Sequence, residues 1–235
     1  MIAIISDIHG NLPALEKALY EIDRQGVNKI ISLGDVSGYY PFINEVIELL
    51  KDRDVINLIG NHDRYIIDNT ECPRSRAANA CLNYQKSVIK QSNIDWLRQS
   101  LPRHDFDNIT MVHGGWNDYE DEYLMKIKDT YFENLKYKFF FCGHTHVQAK
   151  IILKSGQVFV NPGSVGQPRD GNNQAAYCLF DQKSEKVILK RVEYNIDFVA
   201  EKMHEIGFDN YYYTNLYDGT RIGGTIDKIK YLEPK

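Results

Sequence analysis

The amino-acid sequence predicts an α/β fold, and two observations support this prediction. Short apolar runs rich in β-branched and aromatic residues recur along the chain, and polar or glycine residues bound each run, which is typical of buried strands. Two stretches between the first three runs repeat apolar residues at the 3.6-residue period of an amphipathic helix. The first ~60 residues therefore have the order βαβαβ, which favours a parallel sheet with crossover helices.

Six runs are predicted as strands on this pattern: Ile2–Ile5, Lys29–Leu33, Val55–Ile59, Ile109–Val112, Phe139–Cys142 and Gln157–Val160. The first predicted helix spans Leu12–Ile22 and ends before Gly26. The second spans Ile43–Leu50 and follows Pro41, a residue that is favoured at the start of a helix.

Residues 64–101 differ from this alternation, because a mostly helical pattern extends from Ser75 to Leu101. We interpret the segment as a small helical cap inserted into the fold. A further short helix is expected at Asp197–Ile206. The remaining runs of the second half are separated by turn sequences that favour antiparallel pairing. These predicted strands are Ile151–Leu153, Val158–Val160, Ala175–Phe180 and Lys186–Val192.

The composition is that of an ordinary globular protein, with 43% hydrophobic and 26% charged residues. No repeat or low-complexity linker divides residues 1–235, so we expect one domain. The net charge of −4 makes a nucleic-acid partner unfavourable, because such binding needs a basic surface. The first residues lack the basic region of a signal peptide and are too short an apolar run to span a membrane, so a cytoplasmic location is expected. The four cysteines form no CxxC pair and are predicted to be reduced, buried thiols.

Polar side chains with metal-binding chemistry follow five of the predicted strands directly. Carboxyl ends of strands in an α/β sheet gather side chains from distant parts of the sequence into one crevice. The residues at these ends are Asp7, His9, Asp35, Asn61, His62, Asp63, His113, His144 and His146. Five of the seven histidines therefore belong to one predicted site.

Carboxylate, imidazole and amide oxygen donors suit divalent transition metals, and no thiolate is present to select zinc. The donors are enough for two ions. The first ion would take Asp7, His9 and His146, and the second Asn61, His113 and His144. Asp35 would bridge both ions, as carboxylates do in two-metal hydrolases. Manganese is the expected metal, with iron, zinc and nickel as alternatives.

Two divalent ions would outweigh the charge of the carboxylates, so the site should attract an anionic phosphate ester. A hydroxide that bridges the metals would be the nucleophile. We assign His62 as the general acid for the leaving group, oriented by Asp63. The alternative role for His62 is support of a metal ligand.

The blocks D-x-H, GD, GNHD, H and GH-x-H stand in this order in the chain, and together they resemble the signature of the calcineurin-like metallophosphoesterase superfamily. The resemblance extends over residues 1–170 and includes the segments 34–41 and 160–169, which look like a small bacterial and archaeal branch. It implies a four-layer α/β/β/α sandwich of two mixed β-sheets. It also implies the same ligand roles, activity with Mn²⁺ and a bridging solvent nucleophile.

Four residues are candidates for binding the substrate: Arg64, Gly163, Ser164 and Arg169. A guanidinium can clamp a phosphate oxygen, and a glycine turn can present backbone N–H groups to an anion. A solvated arginine and an ordinary strand-ending turn are the alternatives. Tyr65, Arg74 and Arg76 are expected near the entrance of the site, whereas His104 and His204 are expected to be solvated.

The leading functional hypothesis is hydrolysis of phosphodiesters or phosphomonoesters, with a small nucleotide-like substrate. A dinucleoside polyphosphate hydrolase or a protein phosphatase could use the same core, and extra cationic groups in the cleft would favour the polyphosphate. A non-catalytic metal-binding scaffold and a DNA nuclease are rivals of other classes. The tyrosine-rich segment from Asn210 to Tyr217 is expected to line the cleft or to form a homodimer interface.

Overall fold

Two mixed sheets of five strands each form the centre of the protein in the computed structural model, which describes residues 1–27 and 29–233. The strands are β1 (Ile2–Ile5), β2 (Lys29–Ser32), β3 (Ile56–Asn57), β4 (His104–Phe106), β5 (Ile109–Met111), β6 (Lys126–Ile127), β7 (Phe139–Phe141), β8 (Ala149–Ile152), β9 (Val158–Asn161), β10 (Ala175–Asp181), β11 (Lys186–Val192) and β12 (Lys230–Tyr231). The helices are α1 (Leu12–Asp23), α2 (Ile43–Asp52), α3 (Asn61–Ile67), α4 (Arg76–Val88), α5 (Gln91–Leu97), α6 (Asp129–Phe132), α7 (Ile196–Glu205) and α8 (Asn215–Asp218), with a 3₁₀ turn at Asn210–Tyr212.

The first sheet has the strand order β11-β10-β1-β2-β3. Strands β1, β2 and β3 are parallel, and α1 and α2 connect them, which confirms the predicted βαβαβ order. Strand β10 pairs antiparallel with the other side of β1. The sheet therefore brings the carboxyl ends of β1, β2 and β3 to one edge.

The second sheet has the order β4-β5-β7-β9-β8. Its three central strands β5, β7 and β9 are parallel, and β4 and β8 are antiparallel strands at the two edges. The carboxyl ends of β5, β7 and β9 consequently also meet at one edge.

The side chains of β1 alternate between two cores. Ala3 and Ile5 pack with the helices on the outer face of the first sheet, and Ile2 and Ile4 pack between the two sheets. The helical side of the first core includes Leu15, Val46, Val199 and Met203.

The second sheet shows the same alternation in its three consecutive phenylalanines. Phe139 and Phe141 lie in the core between the sheets, whereas Phe140 packs on the outer face against Phe132 of α6. These clusters confirm the four-layer α/β/β/α sandwich, although a single short helix and loops form the outermost layer beside the second sheet.

The mostly helical stretch predicted from Ser75 to Leu101 contains two separate helices. Helix α4 ends at Val88 and α5 begins at Gln91, because Ile89 and Lys90 have extended backbones with ψ of 134° and 143°. The side chain of Gln85 in α4 is buried and bonds the loop after β2, accepting from the Gly38 N–H at 2.7 Å. The helical region is thus fastened to a loop that borders the predicted site.

Several elements near the end of the chain were not predicted. Strand β12 pairs parallel with β6 through Lys230 and Tyr231, and the Tyr231 hydroxyl donates to Asp129 at 2.8 Å. Among the described residues, no helix is both long and apolar enough to cross a membrane. The four cysteines are free and buried, as expected.

Candidate metal centre and substrate cleft

Five predicted ligands share an uncommon backbone conformation. Asp7, His9, Asp35, His144 and His146 have φ between 52° and 62°, in the left-handed region that side-chain-bearing residues seldom adopt. Backbone hydrogen bonds to the end of the neighbouring strand β2 hold the ligands that follow β1. The His9 N–H, for example, donates to the Asp35 carbonyl at 3.0 Å. Such strain persists where the surrounding structure fixes it, and it is concentrated at functional sites.

The first donor cluster contains Asp7, His9, Asp35 and His146, all buried. The Nε2 atoms of His9 and His146 lie 3.1 Å apart, and His146 Nε2 lies 3.3 Å from the Oδ1 of Asp7. His9 Nε2 is 3.8 Å from the Oδ2 of Asp35. These four side chains form one side of the predicted centre.

The second cluster contains Asp35, His113 and His144, and Asn61 lies beside them. The Nε2 of His113 is 3.3 Å from Asp35 Oδ2, 3.2 Å from Asn61 Oδ1 and 3.2 Å from His144 Nδ1. Asp35 belongs to both clusters, and this arrangement is the one expected for a carboxylate that bridges two ions.

The hydrogen bonds of the imidazoles show that the clusters suit cations. His9 Nδ1 lies 2.7 Å from the Ser37 carbonyl and His146 Nδ1 lies 2.6 Å from the Gln167 carbonyl, so each Nδ1 carries the proton. The neutral rings therefore point two Nε2 lone pairs at each other. Asp7 Oδ1 is buried and has no hydrogen-bond partner among the described residues. A divalent metal ion fits this concentration of unshared lone pairs.

Electrostatics support the same interpretation. Burial lowers the pKa of His9, His144 and His146 well below the ordinary value, which keeps these imidazoles neutral, as metal ligands must be. Burial also lowers the pKa of His113, but the charges of the nearby carboxylates, Asp35 foremost, and a hydrogen bond to Asp35 together outweigh this effect and raise the pKa to about 9. The centre of the cluster is thus a point of negative potential that attracts a cation.

His62 lies next to the two donor clusters. Its backbone N–H donates to Asp35 Oδ1 at 2.8 Å, and its ring packs against those of His9, Tyr39 and Tyr65 at centroid distances of 4.9, 5.2 and 5.7 Å. Its Nδ1 has no hydrogen-bond partner among the described residues, and burial lowers its pKa. His62 therefore carries a polar group that the protein itself does not use.

Asp63 does not pair with His62, contrary to the expected orienting role. Its buried carboxylate accepts from the backbone N–H and hydroxyl of Ser37, both at 2.9 Å, and from the Gly60 N–H at 3.3 Å. Burial raises the pKa of Asp63 to about 6. Asp63 instead ties the loop after β2 to the start of α3, which are the segments that carry Asp35 and Asn61.

A cleft of about 340 Å³ opens above the two clusters, with Asn61 and His62 in its wall. Arg169 also lines the cleft although it is only 4% exposed. Its Nε and Nη2 donate to Gln167 Oε1 at 3.2 and 2.7 Å, and Nη2 also donates to the Tyr39 hydroxyl at 3.2 Å. No carboxylate among the described residues forms a salt bridge with this buried guanidinium.

The other predicted substrate-binding residues lie outside the wall of the cleft. Gly163 has φ of 79°, and a Cβ there would lie 2.7 Å from that of Ala176. The Ser164 hydroxyl donates to the Asp7 carbonyl at 2.7 Å, which positions the ligand loop. Arg64 pairs with Glu120 through two hydrogen bonds of 3.0 and 2.7 Å.

Of the residues expected near the entrance, only Arg74 lines the cleft. Arg74 lines the cleft and pairs with Asp121, whereas Arg76 is exposed and Tyr65 packs against His62. His204 is exposed, as expected, but His104 is half-buried in β4 with an enclosed Nε2, and burial lowers its pKa.

The sequence patterns did not assign seven residues of the cleft wall to the site. All seven lie outside the helices and strands, where no periodicity marks them. They are Tyr39, Cys72, Ser75, Tyr123, Gln167, Arg221 and Ile222. Tyr39 and Gln167 stand within segments that carry the family resemblance, so their position next to motif residues was the available signal.

Comparisons with known proteins agree with this geometry. Residues 1–185 match the family model of the calcineurin-like phosphoesterase superfamily domain. The chain is 35% identical over 223 residues to an uncharacterized protein of Methanocaldococcus jannaschii, and the match covers 86% of this chain and 91% of that protein.

Two solved structures share the fold over nearly the whole chain. A metallophosphoesterase from Sphaerobacter thermophilus is 31% identical, with a TM-score of 0.82 over 93% of this chain and 98% of that one. A hypothetical protein from Pyrococcus horikoshii is 23% identical, with a TM-score of 0.81 over 96% of this chain and 100% of that one. The chain belongs to the calcineurin-like phosphoesterase superfamily.

Proposed function

We propose that the protein is a phosphoesterase that uses two divalent metal ions to hydrolyse small, nucleotide-like phosphodiesters or phosphomonoesters. The observation that carries the proposal is the pair of buried donor clusters that share Asp35 at the base of a cleft. His62 and Arg169 line this cleft, so groups suited to acid–base chemistry and to anion binding stand above the metal donors.

The residues divide between the two ions as their contacts suggest. Asp7, His9 and His146 would hold one ion, Asn61, His113 and His144 the other, and Asp35 both. Manganese is the proposed metal, and iron, zinc and nickel accept the same donors. When bound, the ions would lower the pKa of a water molecule and neutralise the charge that develops on the phosphoryl oxygens.

His62 is the proposed general acid. It lies beside both clusters, and its Nδ1 has no hydrogen-bond partner in the part of the chain that the structure describes. Burial lowers its pKa, but an anionic phosphoryl group nearby would raise the pKa again and favour the imidazolium. In the proposed step the imidazolium gives its proton to the leaving-group oxygen as the ester bond breaks.

Arg169 is the proposed anchor for an oxygen of the reacting phosphoryl group. A buried guanidinium with no salt-bridge partner is costly unless an anion compensates it. The ring of Tyr39, 5.7 Å from the guanidinium carbon, and the amide of Gln167 hold the group in place before the substrate arrives. Such preorganisation reduces the entropic cost of binding.

The test is hydrolysis of a chromogenic phosphodiester and a chromogenic phosphomonoester by metal-stripped protein resupplied with Mn²⁺. Wild type should regain turnover with Mn²⁺, and His62→Ala should lose ~10²-fold or more in kcat while it binds the same amount of metal. His204→Ala is the matched control, because His204 is exposed, and it should behave as wild type.

Absence of turnover on both esters in the metal-loaded wild type would contradict the proposal and point to a metal-binding scaffold. Equal activity of wild type and His62→Ala would remove the acid role alone. The ratio of diester to monoester activity would select between the two substrate classes.

A further inference from the structure

The end of the chain completes the cleft. The family model matches residues 1–185, yet Arg221 and Ile222 belong to the cleft wall. They lie in the segment 219–227, between α8 and β12. Part of the predicted substrate site is therefore built from residues outside the matched region.

This segment is fixed to the cleft by hydrogen bonds. The N–H of Asp227 donates to the Arg169 carbonyl at 2.7 Å, and the N–H of Gly171 donates to the Gly219 carbonyl at 2.9 Å. Strand β12 continues the attachment by pairing with β6. The segment thus contacts Arg169 itself and Gly171 shortly after it, and Arg221 has a defined position.

The wall of the cleft is cationic. Arg74, Arg169 and Arg221 line it, and among the described residues no aspartate or glutamate does so. Arg74 donates from Nη1 and Nη2 to the carboxylate of Asp121. Arg169 has no carboxylate partner among the described residues. Arg221 is paired with Asp227, so what it adds to the wall beside Arg169 is hydrogen-bond donors rather than unpaired charge.

The guanidinium of Arg221 has hydrogen-bond donors that no described residue accepts. Its Nε donates to Asp227 at 2.5 Å, and no hydrogen bond of Nη1 or Nη2 is present among the described residues. The Asp227 carboxylate therefore holds the side chain at its inner end and leaves the two terminal nitrogens for a ligand. Planar pairs of guanidinium donors match the oxygens of a phosphate.

The free donors of Arg221 stand close to the metal donors. The ring of Tyr123 contacts both Arg221 and Arg74, whose guanidinium carbons lie 5.7 and 5.2 Å from its centroid. The same ring is 3.9 Å, centroid to centroid, from the ligand His144. Arg221 and the ligand His144 therefore contact the same aromatic ring, and Arg221 lines the cleft that opens at the metal donors.

We propose that Arg221 determines specificity by binding a second phosphate group of the substrate, next to the phosphoryl group that reacts at the metals. The inference rests on the proposed function and narrows it to phosphate esters that carry a second phosphate. Arg169 binds the reacting phosphoryl group, and Arg221 binds the adjacent phosphate.

The experiment compares binding of adenosine 5′-monophosphate and of its non-hydrolysable α,β-methylene diphosphate analogue to the Mn²⁺-loaded full chain by calorimetry. Wild type should bind the diphosphate analogue about tenfold more tightly, the gain typical of one charge-assisted contact. Arg221→Gln should lose this gain. Arg53→Gln is the matched control, because Arg53 pairs with Asp23 away from the cleft, and it should retain the gain.

Asp227→Asn separates ligand binding from attachment of the segment. Loss of the carboxylate charge should leave the gain intact or increase it if Arg221 binds phosphate. Equal losses in Arg221→Gln and Asp227→Asn would show that the pair only holds the segment, and would overturn the proposal. Equal binding of both nucleotides by wild type would overturn it as well, while turnover of the chromogenic esters would leave the proposed function standing.

Discussion

Ser164 and Asp7 are joined by a hydrogen bond across 157 positions of the sequence: the Ser164 hydroxyl donates to the Asp7 backbone carbonyl at 2.7 Å. The same hydroxyl accepts from the N–H of Gln167, whose carbonyl lies 2.6 Å from the Nδ1 of His146. One buried side chain therefore braces two ligands of the same metal cluster.

Replacement of Ser164 should weaken the metal site through this brace. We expect Ser164→Ala to lower metal affinity by ~10-fold, because support of ligands by outer groups contributes 10–100-fold. Loss of the buried hydrogen bonds should also cost about 1–3 kcal/mol of stability. Metal titration and chemical denaturation would measure both effects, and unchanged metal affinity would contradict the bracing role.

The shared carboxylate predicts a difference in metal stoichiometry. Asp35→Asn should lose both ions, because Asp35 belongs to both donor clusters. Asp7→Asn should lose one, because Asp7 belongs to a single cluster. Elemental analysis of dialysed proteins gives the stoichiometry directly, and equal metal contents in the two variants would exclude the bridging role.

Metal removal should destabilise the folded chain. Buried carboxylates and facing imidazole lone pairs in the clusters repel one another unless a cation lies between them. Ions that bind only the native state stabilise it by mass action, by about 2.7 kcal/mol at a hundred times the dissociation constant. Thermal unfolding after chelation should therefore begin at a lower temperature, and added Mn²⁺ should reverse the shift. An unfolding temperature insensitive to Mn²⁺ would argue against the site.

Gly38 should not tolerate a side chain. A Cβ at this position would clash with Nδ1 of His9 and would lie 3.0 Å from Nδ1 of His62. We expect Gly38→Ala to abolish turnover and to reduce metal binding. Gly207→Ala is the control, because Gly207 also has positive φ, 94°, but has no neighbour within 4 Å of the added Cβ. The control should cost only the ~1–2 kcal/mol of backbone strain and remain active.

Asp63 should act on stability together with activity. Its carboxylate accepts several hydrogen bonds from the loop after β2 and from the start of α3. We expect Asp63→Asn to lower stability by about 2 kcal/mol, because the amide cannot accept as many of these bonds. Urea denaturation beside the kinetic assay would test this role, and a loss of kcat without any loss of stability would restore a direct part in catalysis.

The metal donors could be predicted because residues with metal-binding side chains follow the strands immediately in the sequence. The run Phe139–Phe141 sets the direction of the chain, and the next residues reach the edge of the sheet, where His144 and His146 must lie close together. The same local logic located α1 and α2, whose apolar residues keep the helical period.

The rest depended on tertiary contacts that no local pattern records. Tyr123 and Arg221 reach the cleft from loops, and their positions are fixed by pairing with Arg74 and Asp227. The break between α4 and α5 follows from the extended backbone of Ile89 and Lys90, for which the apolar period gave no signal. No local pattern indicates that Asp63 bonds Ser37 instead of His62, which leaves Nδ1 of His62 without a partner among the described residues.

The pairing of β1 with β10 also affects how the protein is made. Strand β1 leaves the ribosome before its neighbour β10, which comprises residues 175–181, and His146 follows Asp7 by nearly 140 residues. A nascent chain that does not yet include residues 175–181 can form the βαβαβ half. It lacks β10, which pairs with the other side of β1. Long-range pairing of this kind is slow and leaves an open strand edge during synthesis. The metal site can therefore assemble only after His146 has emerged, and a chain arrested before β10 would expose the edge of β1 to unwanted strand pairing.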